Sequence, residues 1–127
     1  MSRVGVADIP CESLMERVAA RDQQAYAELY DRLSPAVFGM TRRVLRDPSQ
    51  AEEVTQEVFV ELWRRATRFD ATRGGVRSWA LSIAHHRAVD RVRSEQSRRA
   101  RDLRDAAVRA PLASTLSRLP QPRQTVM

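Results

Sequence analysis

Two adjacent histidines, one cysteine, a glycine pair and two strongly charged segments are where this 127-residue sequence has side chains capable of chemistry. His85 and His86 are neighbours on a helical pattern, so their side chains diverge by about 100° and cannot close on one ion. Neither has an acidic or cysteine partner spaced to complete a metal site. His86 and Asp90 stand at i, i+4, a spacing that suits a surface hydrogen bond better than a base and its orienting acid. Gly74-Gly75 precedes a helix but lacks the rest of a phosphate-loop pattern. Cys11 is the only cysteine, which excludes an internal disulfide and reads as an unreactive thiol. These residues point away from an enzyme, with no metal and no cofactor.

Charge carries more. All 22 basic residues are arginine, whose guanidinium grips phosphate bidentately and stacks on bases. Residues 1–61 hold 7 arginines against 11 acids, net −4, whereas residues 62–127 hold 15 against 5, net +10. Between Asp47 and Glu61 lie five acids and no base. An acidic segment followed by a basic half implies two unlike partners, one of them a polyanion. In the acidic segment Val54, Val58 and Leu62 form an inward row. Glu53, Gln56, Glu57 and Val60 then face outward, a surface suited to a basic helix. Arg87, Arg91, Ser94 and Arg98 recur at i, i+4, i+7 and i+11, with Arg77 upstream and Arg93, Arg99 and Arg101 beside them. Such a stripe tracks a phosphate backbone. The preceding stretch Arg68–Arg73 sets polar groups where an unpaired base can be held.

Helices must position these groups, because the apolar residues fall at helical spacing and no alternating strand pattern occurs. The spacing predicts a first helix over Ser13–Ala20, with Leu14 and Val18 inward. Asp22 caps a second over Gln23–Leu33, with Tyr26, Leu29, Tyr30 and Leu33 inward. Ser34-Pro35 predicts a kink or brief restart, after which Val37, Phe38, Thr41, Val44 and Leu45 continue the stripe. Asp47-Pro48 opens a helix to about Ala66. A loop over Thr67–Gly75 follows, then a helix from Val76 to about Arg98 with Ala80, Ile83, Ala84, Ala88 and Val92 inward. Arg101–Arg109 is a candidate fraying extension. Ala110–Met127, with three prolines, reads as disordered. The expectation is an all-α, compact four- to five-helix bundle over residues 13–99, between a flexible arm (1–12) and a linker-like tail (100–127). No run approaches the ~18 apolar residues of a membrane span, and no signal peptide is legible, so the expected compartment is the cytoplasm.

The run DPSQAEEVTQEVFVELWRRATRFD (Asp47–Asp70), followed by RGGVRSWALSIAHHRAVDRVRS (Arg73–Ser94), resembles regions 2.2 to 2.4 of bacterial extracytoplasmic-function (ECF) sigma factors, of the sigma-70 family. The likeness rests on the Asp-Pro opening with Glu53, Gln56, Glu57 and Phe59, on Trp63-Arg64, and on Ser78-Trp79 with Asp90 and Arg93. Ala25–Asp47 is similar to the preceding part, regions 1.2 and 2.1. The resemblance implies a sigma-type transcription initiation factor, or its region 2 fragment, that binds core RNA polymerase and the promoter −10 element. Asp47, Glu53, Gln56, Glu57 and Val60 would dock on the clamp helices of the polymerase β′ subunit. Phe69, Asp70, Thr72, Arg73, Arg77, His86, Arg87 and Arg91 would meet the non-template strand, with a flipped base held by the Phe69–Gly75 loop. Trp79 would pack beneath that loop. An anti-sigma factor is the further implied partner. The other reading is a non-initiating module that occupies the β′ clamp or titrates the anti-sigma factor. Ser82-Ile83 stand where primary sigma factors carry paired tryptophans, which implies a weak melter of DNA. Arg101–Met127 is too short and proline-rich for region 4, the helix-turn-helix that reads the −35 element, so region 4 is expected to be absent.

Overall fold

The computed structural model describes residues 8–109. The first seven residues of the expected arm, and residues 110–127 of the expected tail, lie outside the described residues, whereas residues 100–109 of that tail are helical. Within them the chain is all-α. Helix α1 spans Cys11–Ala19, α2 Gln23–Val44, α3 Pro48–Arg64 and α4 Val76–Arg109, with two 3-10 turns at Ala66–Arg68 and Ala71–Arg73. The contacts divide the chain at Val92/Arg93. Residues 8–92 hold the bundle. The distal part of α4 is exposed at nearly every position and carries its own Arg98–Glu95 ion pair at 3.3 Å.

Local chemistry explains where the helices start. The Asp22 carboxylate accepts from the Gln24 and Ala25 amides at 3.0 and 3.2 Å, and Asp47 accepts from the Ser49 amide at 2.9 Å. Each satisfies donors that the first turn leaves without a partner, and Pro48 at the start of α3 has no amide to satisfy. The Arg17 guanidinium beside Asp22 holds that carboxyl below its usual range. The α1–α2 turn closes through Arg21 at φ 69°, with the Asp22 amide reaching back to the Arg17 carbonyl at 2.9 Å. A non-glycine residue in this region is strained. Its guanidinium lies 4.9 Å from the Trp63 ring centre and donates to the Trp63 carbonyl, contacts that offset the strain.

One apolar core joins Leu14, Met15 and Val18 of α1 to the rows of the other three helices. The α3 row includes Val54, Val58, Phe59 and Leu62; α4 contributes Val76, Ala80, Ile83, Ala84 and Ala88. In α2 the buried row is Ala25, Leu29, Leu33, Val37 and Thr41, a strict i, i+4 series. That register corrects three expectations. Tyr30 and Phe38 are not inward but 38% and 37% exposed, each one position, or about 100°, past the buried row. Tyr26 is only half-buried; its hydroxyl donates to the Phe59 carbonyl at 2.8 Å, while the Tyr30 ring leans on Phe59 at 4.5 Å. Nor does α2 restart at Ser34-Pro35: it runs unbroken with Pro35 inside. Proline forfeits one helical hydrogen bond, but Leu33 and Val37, packed on either side, hold the helix in one piece.

Among the described residues, Thr41 and Thr55 are the buried polar ones. Their hydroxyls meet at 3.0 Å, and Thr55 donates to the Ala51 carbonyl at 2.8 Å, a bonded bridge between α2 and α3. Among the described residues no helix is long and apolar enough to cross a membrane.

Candidate nucleic-acid and protein interfaces

Helix α3 divides as its periodicity requires. Val54, Val58 and Leu62 are buried, whereas Glu53 and Gln56 are exposed, Glu57 is half-exposed and Val60 is 46% exposed. Glu53, Gln56, Glu57 and Val60 share a shallow cavity of about 380 Å³ with Arg64 and Arg87. Val60 also borders an apolar hollow of about 430 Å³ with Gln23, Tyr26 and Trp63. The surface is acidic on one flank and apolar on the other. Asp47 lines neither hollow: it caps the start of α3, six residues before Glu53 and about 9 Å from it along the axis at 1.5 Å per residue.

The second site lies where α3 gives way to α4. Phe69 and Trp79 stand 5.3 Å apart at 46° and wall a cavity of about 330 Å³. Arg65, Arg68 and Arg73 line it together with Asp70, and Ser78 and Ser82 form its α4 side. Asp70 is held by its own turn, accepting from the Thr72 hydroxyl at 2.6 Å and the Thr72 amide at 3.0 Å. The Thr72 hydroxyl and amide bonds keep its carboxyl below the usual range. Thr72 thus braces the loop rather than lining the cavity. Trp79 is half-buried and packs against the core, as expected, but it also walls the cavity, which was not.

Two glycines shape the entrance. Gly75 leaves room for the Glu12 carboxylate of α1, which accepts from the Val76 amide at 3.3 Å and so caps α4 from a distant helix. Gly74 adopts φ 139° and ψ 175°, a region open in practice to glycine alone. A methyl group there would meet nothing within 4 Å, so the cost of a side chain is backbone strain. Gly74→Ala is therefore expected to destabilise the fold by about 1–3 kcal/mol in a denaturant titration. A loss near zero would mean that the loop relaxes to another conformation.

Arg77 and His86 are exposed on α4 and do not line the cavity. The His86 Nδ1 lies 2.9 Å from the Ser82 carbonyl, its own preceding turn, so the bond expected to Asp90 is replaced by a local one. The pair standing in for tryptophans is split: Ser82 borders the cavity and Ile83 is core. Among the described residues no three potential metal ligands converge.

Arg87 and Arg91 occupy a position that the stripe pattern did not foresee. Arg87 Nε donates to Glu61 at 2.6 Å and its Nη1 to Glu57 at 3.2 Å. Arg91 Nη1 donates to Glu53 at 3.1 Å and its Nη2 to Glu57 at 2.9 Å. Glu61 is also paired with Arg65. Burial pushes the Glu61 carboxyl up, but the Arg87 and Arg65 bonds outweigh it and hold it below the usual range. Glu61 and Arg65 were absent from the site expected by sequence, whereas Arg68 belonged to the expected base-holding stretch; the i, i+4 spacing of Glu61 and Arg65 was the one available sign.

Comparison with known proteins agrees with this architecture. The family model described as Sigma-70 region 2 matches residues 29–98. Over 103 residues the chain is 47% identical to "ECF RNA polymerase sigma factor SigK" of Mycobacterium tuberculosis, a match that covers 81% of this chain and 55% of that protein. The same-named proteins of Mycolicibacterium vanbaalenii and Mycobacterium ulcerans are 43% and 44% identical, covering 84% and 80% of this chain and 55% and 54% of theirs. The chain thus spans about half the length of the curated relatives it matches.

Proposed function

The chain belongs to the sigma-70 family as an ECF-type region 2, and on that premise we propose that it binds core RNA polymerase and recognises the promoter −10 element during transcription initiation. The observation that carries this reading is the cavity walled by Phe69 and Trp79 and rimmed by Arg65, Arg68 and Arg73. An aromatic wall offers a stacking face to any base, and the guanidinium rim offers charge to the flanking phosphates. A base turned out of the non-template strand would enter there, its unstacking offset by those contacts. Phe69, Asp70 and Arg73 act at the cavity, Thr72 braces it, and Arg77, His86, Arg87 and Arg91 extend the DNA face along α4. Because Ile83 is core, the pair Ser82-Ile83 offers no wedge against stacked bases, and strand separation depends on capture of the flipped base.

The acidic face of α3 serves the other partner. Glu53, Gln56, Glu57 and Val60 dock on the β′ clamp helices, with Asp47 at the outer margin. An anti-sigma factor is the further partner proposed for the chain. The test mixes the full chain with core polymerase and a labelled single-stranded −10 oligonucleotide. Expected are co-elution with core, binding that weakens steeply with salt, and an affinity loss of about tenfold or more for Phe69→Ala. Binding of core without any preference for the −10 sequence would leave only the non-initiating interaction module. Failure to bind core would overturn the initiation reading and occupation of the β′ clamp, leaving only titration of an anti-sigma factor.

A further inference from the structure

The arginines assigned to DNA and the glutamates assigned to polymerase are bonded to one another. Four hydrogen bonds of 2.6–3.2 Å tie Arg87 and Arg91 of α4 to Glu53, Glu57 and Glu61 of α3. The two faces are therefore one composite surface. We propose that Arg91 links the two partners: Glu53 and Glu57 hold it in the free chain, and a basic helical partner docking on α3 releases it to phosphate. The proposal rests on the assignment of the two faces in the preceding section.

The ladder is graded, and the grading singles out Arg91. The Glu61 side chain is only 16% exposed and holds both Arg87 and Arg65, so Arg87 keeps an anchor whatever happens at the surface. Arg91 has no such anchor. Its partners Glu53 and Glu57 are 67% and 42% exposed, and both stand on the face open to a docking helix. Exposed ion pairs are weak because water and salt screen them, so an incoming cation can take a carboxylate from its intramolecular partner. A guanidinium neutralised by two carboxylates is a poor phosphate ligand, and one relieved of them is a good one. Docking of a basic partner thus raises affinity for DNA, and by linkage DNA raises affinity for the partner by the same factor.

The experiment follows a labelled 12-nucleotide single strand bound to the full chain across a salt series. Glu53→Gln with Glu57→Gln frees Arg91 without a partner. It is expected to tighten binding by about three- to tenfold and to steepen the log–log salt slope by about 0.7, the increment for one added phosphate contact on a single strand. Adding Arg91→Met to that double variant should cancel both gains, although the protein still carries one positive charge more than the wild type. Saturating wild-type chain with the β′ clamp-helix fragment should reproduce the gain. No gain in the double variant overturns the linkage. A gain that survives Arg91→Met also overturns it, since the effect would then come from the lost negative field alone. If no variant binds the strand, wild type included, the DNA assignment falls and takes the linkage with it. Thermal melts of each variant confirm that the fold is retained.

Discussion

Glu53→Arg combined with Gln56→Ala is expected to weaken binding to the β′ clamp helices by about 100-fold or more, while the melting temperature stays within about 2 °C of wild type. Both side chains are exposed on α3, outside the core, and surface substitutions of this kind change stability by about 0.5 kcal/mol or less. Binding should respond far more. A cation at position 53 meets the cations of a basic partner, and like charges across an interface cost several kcal/mol, with tenfold in affinity for every ~1.4 kcal/mol. The loss of Glu53 also takes one carboxylate from Arg91, which retains Glu57. Retention of the double variant on an immobilised clamp-helix fragment, read beside a thermal melt, decides the matter. Undiminished retention would remove α3 from the docking surface.

The other large effect is on stability and comes from the opposite side of the same helix. Phe59→Ala is expected to lower the free energy of unfolding by about 3–5 kcal/mol, the usual cost of truncating a buried ring. Phe59 is 2% exposed and receives Tyr30 against its face at 4.5 Å. Its removal therefore opens a cavity and strips a neighbour of its contact. For a domain whose whole stability is about 5–15 kcal/mol, that is a large share. A denaturant titration should show a lower midpoint at unchanged slope. A loss below about 1 kcal/mol would mean that Tyr30 and Tyr26 collapse into the space. Helix α3 is thus expected to separate two properties by face, docking on Glu53 and Gln56, stability on Phe59.

Much of this was legible along the chain. The helix starts at Asp22 and Asp47 depend on a carboxylate two or three residues before the amides it bonds, a local arrangement that residue order alone specifies. The division of α3 into a Val54–Val58–Leu62 row and a Glu53–Gln56–Glu57–Val60 face follows from 3.6 residues per turn. Along α2 the same rule located the apolar half but not its centre. Tyrosine and phenylalanine count as apolar in a pattern, yet the packed row is the slimmer Ala25–Thr41 series. The rings at Tyr30 and Phe38 are pushed to the margin, more than a third exposed.

The sequence could thus specify what each helix does with itself: where it begins, which side is apolar, and which side carries charge of one sign. It could not specify what α4 meets when it lies beside α3. Read along one helix, Arg87 and Arg91 form a free basic stripe. In the fold they are paired with glutamates 26 to 38 residues earlier, because the packing of two helices sets which opposite charges come within hydrogen-bond reach. The cavity has the same origin. Phe69 and Trp79 become facing walls only when the 3-10 turns fold the loop over the start of α4, and Glu12, from the first helix, caps that start. Helical phase depends on near neighbours in the chain. The pairing of charges and the closure of a pocket depend on tertiary packing, and there the acidic and basic halves of the sequence became one surface.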